Sequence, residues 1–309
     1  MSPMLRNVNR LSRALALLRI VGWVNTLADN VQYHIQCGRS DVARYVLLPG
    51  DPARVKVIAS LWDESRKVAE NRQYVTYTGK VGGVEVSTTS TGIGGPSVAI
   101  AVEELARCGA NTFIRVGTCG GTRTAQRVGD VAIATGAVRW EGTSRQYVQP
   151  EYPAFSAPEI VLALIEAAEL SGINYHVGIT KTSDSFYSNM GFGGYKQSWM
   201  KDIEKDFSRA NVISVEMEAA TIFTLANLYG LRAGCICSII DLIASMERSE
   251  TDTQEVSIEE ALQPRPEFIR AACECAVRAV QVLNKWDRDR EARGKKNWYP
   301  SLSYDRHGS

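Results

Sequence analysis

Val84-Glu85-Val86-Ser87-Thr88-Thr89-Ser90-Thr91-Gly92-Ile93-Gly94-Gly95-Pro96-Ser97 is the stretch whose reading decides the fold class. Its first six residues are mostly β-branched and read as a short strand. The glycine cluster reads as a turn, and Gly95-Pro96-Ser97 opens a helix that runs through Cys108 and stops at Gly109. Proline near the start and glycine just past the end is the asymmetry that helices favour. The next apolar run, Thr112 to Val116, is again β-branched. Strand, turn, helix and strand in that order make one repeat of an α/β layer structure.

The same grammar extends in both directions. Candidate strands are Tyr45 to Leu48, Tyr74 to Thr78, Asp130 to Ala137, His176 to Thr182, Val212 to Val215 and Ala233 to Ile240. Helices are expected over Pro158 to Leu170 and Met217 to Tyr229, with Gly172 and Gly230 as stops. A last helix from about Glu267 to Trp286 carries Phe268, Ile269, Ala272, Ala276, Val280 and Leu283 on one stripe. The expected fold is a single-domain three-layer α/β sandwich over residues 29–286. A basic extension (residues 1–28) precedes it, and a charged, solvated tail (residues 287–309) follows.

Composition limits what such a domain does. With 309 residues, 45% of them apolar and 22% charged, the chain can bury a large core. Its 35 Lys and Arg balance 34 Asp and Glu, which leaves no electrostatic reason to seek nucleic acid or anionic lipid. The best apolar run, Ala14 to Val24, is interrupted by Arg19 and is far too short for a bilayer span. The seven cysteines are odd in number, with Cys235/Cys237 and Cys273/Cys275 spaced as CxC, which fits a reduced, cytoplasmic setting. Arg6, Arg10, Arg13 and Arg19, with no acid before Asp29, also match the composition of a mitochondrial presequence. The plainer alternative is a dispensable extension.

Chemistry concentrates at strand ends. Pro49-Gly50-Asp51-Pro52-Ala53-Arg54 follows a buried strand, where a glycine frees backbone N–H groups for an anion and Arg54 adds charge-assisted bonds. Read alone, it is a good strand exit. Arg115-Val116-Gly117-Thr118-Cys119-Gly120-Gly121 puts an arginine in an apolar strand, where its guanidinium requires an anion or an acid. The Ser90 to Ser97 turn is spaced GxGG rather than GxGxxG, which argues against a dinucleotide. Val215-Glu216-Met217-Glu218 closes a strand and opens a helix, so its carboxylates can serve as helix caps or chelate a vicinal diol.

Taken in order, Gly50-Asp51-Pro52-x-Arg54, Ser90 to Pro96, Phe113 to Thr118, Ser183-Asp184-Ser185-Phe186-Tyr187 and Glu216-Met217-Glu218 resemble the hexameric-type nucleoside phosphorylases, most closely their uridine branch. The resemblance spans roughly His34 to Leu283. It implies a twisted mixed sheet partly closed as a barrel, flanked by helices, with each site shared across a homodimer. Carried over position by position, it assigns Gly50, Arg54, Arg115 and Thr118 to phosphate, with Arg72 supplied by the neighbouring subunit. It assigns Glu218, Met217 and Glu216 to the nucleoside, with His34 reaching across the dimer to the ribose and Phe186 stacking under the base. Inorganic phosphate is the implied co-substrate, with no metal or organic cofactor.

The base is less sharply specified. The uridine branch follows Phe-Tyr with Gly-Gln-x-Arg, whereas this chain reads Ser188-Asn189-Met190-Gly191-Phe192-Gly193-Gly194-Tyr195-Lys196-Gln197, leaving Gln197 and Lys196 as substitutes. Asp241 falls where purine enzymes of the family place a general acid, and it reads equally as a turn residue. The long segment between Tyr187 and Val215 favours uridine. A purine nucleoside phosphorylase, a water-using nucleosidase and a non-catalytic nucleoside-binding relative are the alternatives, and the set Arg54, Arg72 and Arg115 argues for phosphate over water.

Overall fold

A computed structural model describes residues 31–190, 195, 197–242 and 266–295. The basic extension, Lys196 and the chain beyond residue 295 lie outside the described residues, as do the presequence reading and most of the expected tail. Among the described residues, no helix is long and apolar enough to cross a membrane.

The sheet begins with β1 (Tyr45–Leu48), whose four residues are all buried. Next come α1 (Pro52–Ala59), β2 (Glu64–Asn71), β3 (Tyr74–Val81) and β4 (Val84–Thr89), then α2 (Gly95–Arg107) and β5 (Thr112–Gly121). The second half holds β6 (Val131–Trp140), β7 (Ala154–Phe155), α3 (Pro158–Ser171), β8 (Tyr175–Ser183), α4 (Phe186–Met190) and α5 (Gln197–Arg209). It ends with β9 (Val212–Glu216), α6 (Ala219–Leu228), β10 (Arg232–Leu242) and α7 (Pro266–Ala292).

The strands run in the order β10-β6-β8-β9-β5-β1-β4-β3-β2, with β7 beside β6, and a further β10–β5 pairing closes five of them into a barrel. The expectation of a mixed sheet with a barrel therefore holds. β5 is the pivot. Residues Thr112 to Arg115 lie between β1 and β10, and β9 takes the place of β1 only at Gly120 and Gly121. The gap between the end of β1 and the end of β9 is where a ligand can enter, as at other strand-order switch points.

Helices cover both faces. α2 and α6 bury Val98, Val102, Leu105, Ile222, Phe223 and Leu225 against one side of the sheet. α1, α3 and α7 bury Ile58, Ile160, Leu164, Ala276, Val280 and Leu283 against the other. The core therefore lies in two layers around a central sheet, with the three-layer arrangement expected of the sequence.

Several boundaries differ from expectation. Pro52 to Ala59 is a helix rather than a bare turn: Asp51 Oδ1 accepts from Ala53 N at 2.8 Å and Pro52 occupies the first turn, a standard helix start. β2 carries the charged sequence ESRKVAEN on the sheet edge, where no apolar alternation marks it. The expected solvated tail is corrected at its first residues. α7 continues to Ala292, and Asp287, only 2% exposed, accepts from Tyr45 Oη at 2.7 Å, Arg44 Nη2 at 3.0 Å and Arg232 Nη2 at 2.7 Å. Three donors from β1, β10 and the chain before β1 satisfy that buried carboxylate, so the helix is anchored where the charge run starts.

Candidate active site

A cavity of about 670 Å³ opens at the pivot of the sheet. Gly50, Arg54, Arg115, Thr118, Phe186, Glu216, Met217, Glu218 and Asp241, all singled out in the sequence, contribute to its wall. They come from strands, helix starts and the loops between them, far apart in the chain. The β1 and β4 exits are zipped together by Thr91 N to Pro49 O and Gly92 N to Gly50 O, each at 2.9 Å. That pairing brings the Gly50–Arg54 segment beside the glycine-rich turn.

Arg115 is 5% exposed, and its charge is met by acids. Its Nε lies 2.7 Å from Glu216 Oε2 and its Nη2 2.5 Å from Glu218 Oε2. Burial works against the guanidinium charge, but Glu218 and Glu216 outweigh it and hold Arg115 firmly protonated. Gly117 is required here. A Cβ on it would stand 2.8 Å from the Arg115 guanidinium carbon and equally close to Cys237 Sγ.

The acidic pair divides its work. Glu216 Oε2 accepts from Glu218 N at 2.8 Å and Ala219 N at 2.9 Å, and Thr182 donates to the same carboxylate. It caps α6 and braces Arg115, and burial pushes its carboxyl up to about 7. Glu218 turns the other way, accepting from Gly94 N at 2.5 Å. Gly94 has φ +90, a conformation that aims its N–H at Glu218 and that a side chain would strain. Thus the capping and ligand-binding readings of this motif apply to different residues.

Arg54, 9% exposed, faces the same cavity from α1. Its Nη1 donates to Val116 O at 3.1 Å, while its Nε is buried with no hydrogen-bond partner among the described residues. No carboxylate forms a salt bridge with it there, and burial, with a contribution from Arg115, lowers its pKa. A buried cation with an idle donor is ready for an anion.

Asp241 follows a register shift in β10, between Ile239 and Asp241. Its Oδ1 is buried without a hydrogen-bond partner among the described residues, and burial pushes its carboxyl up to about 6. Phe186 opens α4, half-buried, with its ring 5.4 Å from that of Tyr187 at an edge-to-face 87°.

His34 and Arg72 do not line this cavity. His34 Nδ1 lies 2.7 Å from Glu104 Oε1, and the same carboxylate accepts from the backbone N–H of His34 and Ile35. Arg72 sits exposed at the β2–β3 turn with φ +54. Asn71 Nδ2 donates to His34 O at 2.8 Å, so the two residues share one corner of the molecule. Gln197 opens α5. The structure also adds Gln73, Ser97, Cys119, Ser183, Ser185 and Ile240 to the wall. Gln73 Nε2 donates to Ser97 Oγ at 2.7 Å. A glutamine next to the Arg72 turn and a serine in the first turn of α2 were the available signals, whereas nothing in the sequence marks Ile240.

Residues 44–281 match the family model described as the phosphorylase superfamily. The chain is 49% identical over 277 residues to a uridine phosphorylase of Thermococcus kodakarensis, covering 89% of this chain and 94% of that protein. It is 41% identical over 226 residues to a guanosine phosphorylase of Halorubrum lacusprofundi, covering 73% and 90%. The crystal structure of a uridine phosphorylase from Vibrio fischeri ES114 superposes with a TM-score of 0.69 at 30% identity, covering 81% of this chain and 97% of that one.

Proposed function

The chain belongs to the phosphorylase superfamily, and from that premise we propose that it cleaves uridine with inorganic phosphate, giving uracil and ribose 1-phosphate. It is a pentosyltransferase acting on a nucleoside and phosphate. The observation that carries the residue assignments is the pair of buried arginines, Arg115 held by Glu216 and Glu218 and Arg54 with an idle Nε, that line one cavity together with Met217 and Glu218.

In this reading Gly50 N–H, Arg54, Arg115 and Thr118 hold phosphate beneath the sugar, with Arg72 of the neighbouring subunit closing the cradle. Glu218 and the Met217 backbone grip the ribose hydroxyls, and His34 reaches the ribose from the neighbouring subunit. Phe186 lies under the base. A phosphate oxygen attacks C1′ as the bond to the base nitrogen breaks, and the electron pair leaves with uracil. Positive charge grows on the sugar between phosphate and Glu218, so preorganised charge lowers the barrier without rearrangement. Arg115 is neutralised by two carboxylates of the chain itself. Phosphate therefore has to draw Arg115 partly from Glu218 while the ribose hydroxyls take up the freed oxygens, which couples the binding of the two substrates. Release of uracil from uridine, measured with and without phosphate, tests the assignment.

A purine substrate is the second reading, supported by Asp241. A buried carboxyl pushed up to about 6 in the cavity wall keeps a proton available near neutral pH for a leaving purine N7. Guanosine and uridine assayed side by side decide between the two.

A further inference from the structure

Among the described residues, Lys181 is the lysine with no exposed surface. It lies on β8 two positions before Ser183 and five before Phe186, both in the cavity wall. Its Nζ pairs with Glu204 of α5, which is itself 4% exposed. The ammonium also stands 5.8 Å from the ring centre of Trp140 on β6 and 5.2 Å from that of Phe207 on α5. Those two rings meet edge to face at 5.5 Å. Two elements, β6 and α5, therefore converge on the charge that β8 carries.

A buried ion pair adds little net stability, because desolvation of both partners consumes most of the attraction. Glu204 Oε2 has no hydrogen-bond partner among the described residues, which makes the cost visible. What such a pair contributes is position. An apolar helix face can settle on a sheet in several registers, whereas an ammonium with one carboxylate and two ring faces has one. One turn further along, α5 is tied again: Arg123 Nη1 donates to Ser208 O at 2.8 Å and Ser208 Oγ donates to Thr122 O at 2.9 Å. α5 packs in turn on α4, which carries Phe186.

We propose that Lys181 and Glu204 are positioning residues for the nucleoside: their ion pair, boxed by Trp140 and Phe207, sets α5 and through it α4 and Phe186 against the cavity. The pair governs nucleoside binding and leaves the phosphate cradle on β1, α1 and β5 untouched. The kinetic half of this inference rests on the assignment of the cavity to uridine and phosphate.

The test compares the unmodified chain with Lys181→Met and with the double variant Lys181→Met/Glu204→Met, which removes both charges and so avoids stranding one. The double variant is expected to fold with an equal or higher melting temperature. Its KM for uridine should rise about tenfold while its KM for phosphate stays within about twofold. Amide hydrogen exchange across residues 197–209 should be faster. A double variant with unchanged KM for uridine, a parallel rise in both KM values, or unchanged exchange in α5 overturns the proposal. If Lys181→Met alone does not fold, the double variant decides by the same criteria. If the unmodified chain releases no uracil from uridine, the functional assignment has failed, and exchange in α5 still decides whether the pair is the anchor.

Discussion

Arg115 Nη2 and Glu218 Oε2 are 2.5 Å apart, so the side chain assigned to phosphate and the side chain assigned to ribose form one ion pair. Both are buried, Arg115 within β5 and Glu218 just after β9, the strand that pairs with β5 at Gly120 and Gly121. The two half-sites are therefore linked through this ion pair.

Arg115→Ala is expected to lower kcat/KM by about 2 to 4 kcal/mol, roughly thirty- to a thousandfold, by loss of a preorganised donor to the transition state. The substitution also leaves Glu216 and Glu218 buried without their cation. Burial already pushes the Glu216 carboxyl up to about 7, and without Arg115, whose charge opposes that rise, Glu216 in the folded state holds a proton that the unfolded chain has released. Folded stability of the variant should therefore fall more steeply than that of the parent as pH rises from about 5 to 8. Steady-state kinetics and denaturant titration at several pH values check the two effects separately.

Asp241→Asn isolates a group whose raised pKa costs stability. Its carboxyl shifts from 3.8 to about 6, so the folded state holds a proton in that interval that the unfolded state has lost, and stability declines as pH rises through it. The variant should equal the parent below about pH 4 and exceed it at pH 7 by on the order of 3 kcal/mol. Thermal melts across that range read the difference. Turnover of uridine should change only modestly, since uracil leaves as an anion stabilised by hydrogen bonds. A large loss with guanosine as the better parent substrate would favour the purine reading.

The shared-site proposal is tested by mixing Arg72→Ala chains with Glu218→Ala chains. In a hybrid dimer one site combines an intact Glu218 with an intact Arg72 from its neighbour. Random reassortment should restore about a quarter of parental activity. Mixed dimers verified by mass spectrometry that stay inactive would remove Arg72 from the neighbouring site.

Much of this was legible in the sequence because the cavity is built from strand ends, where glycine, arginine and acidic residues interrupt apolar runs. Gly50, Arg54, Arg115, Met217 and Glu218 stood out for that reason and meet in one cavity. What could not be read depends on closure. The strand over Thr112 to Val116 continues to Gly121, because pairing with β10 and β9 supplies partners for a glycine-rich stretch that resembles a turn in isolation. β2 escaped notice because an edge strand needs no apolar alternation. Asp287 read as solvated because its donors, Tyr45, Arg44 and Arg232, lie more than fifty residues away in the chain. Lys181 gave no signal at all, since a lysine in a strand is ordinarily a surface residue and its partner Glu204 belongs to a helix later in the chain.

The most direct test of the account is uracil release from uridine by the purified chain, followed in phosphate-free buffer and on titration with inorganic phosphate. The account predicts no turnover without phosphate, saturable turnover with it, and ribose 1-phosphate formed in equal amount to uracil. Uracil release at an undiminished rate in phosphate-free buffer, with free ribose as the product, would contradict it.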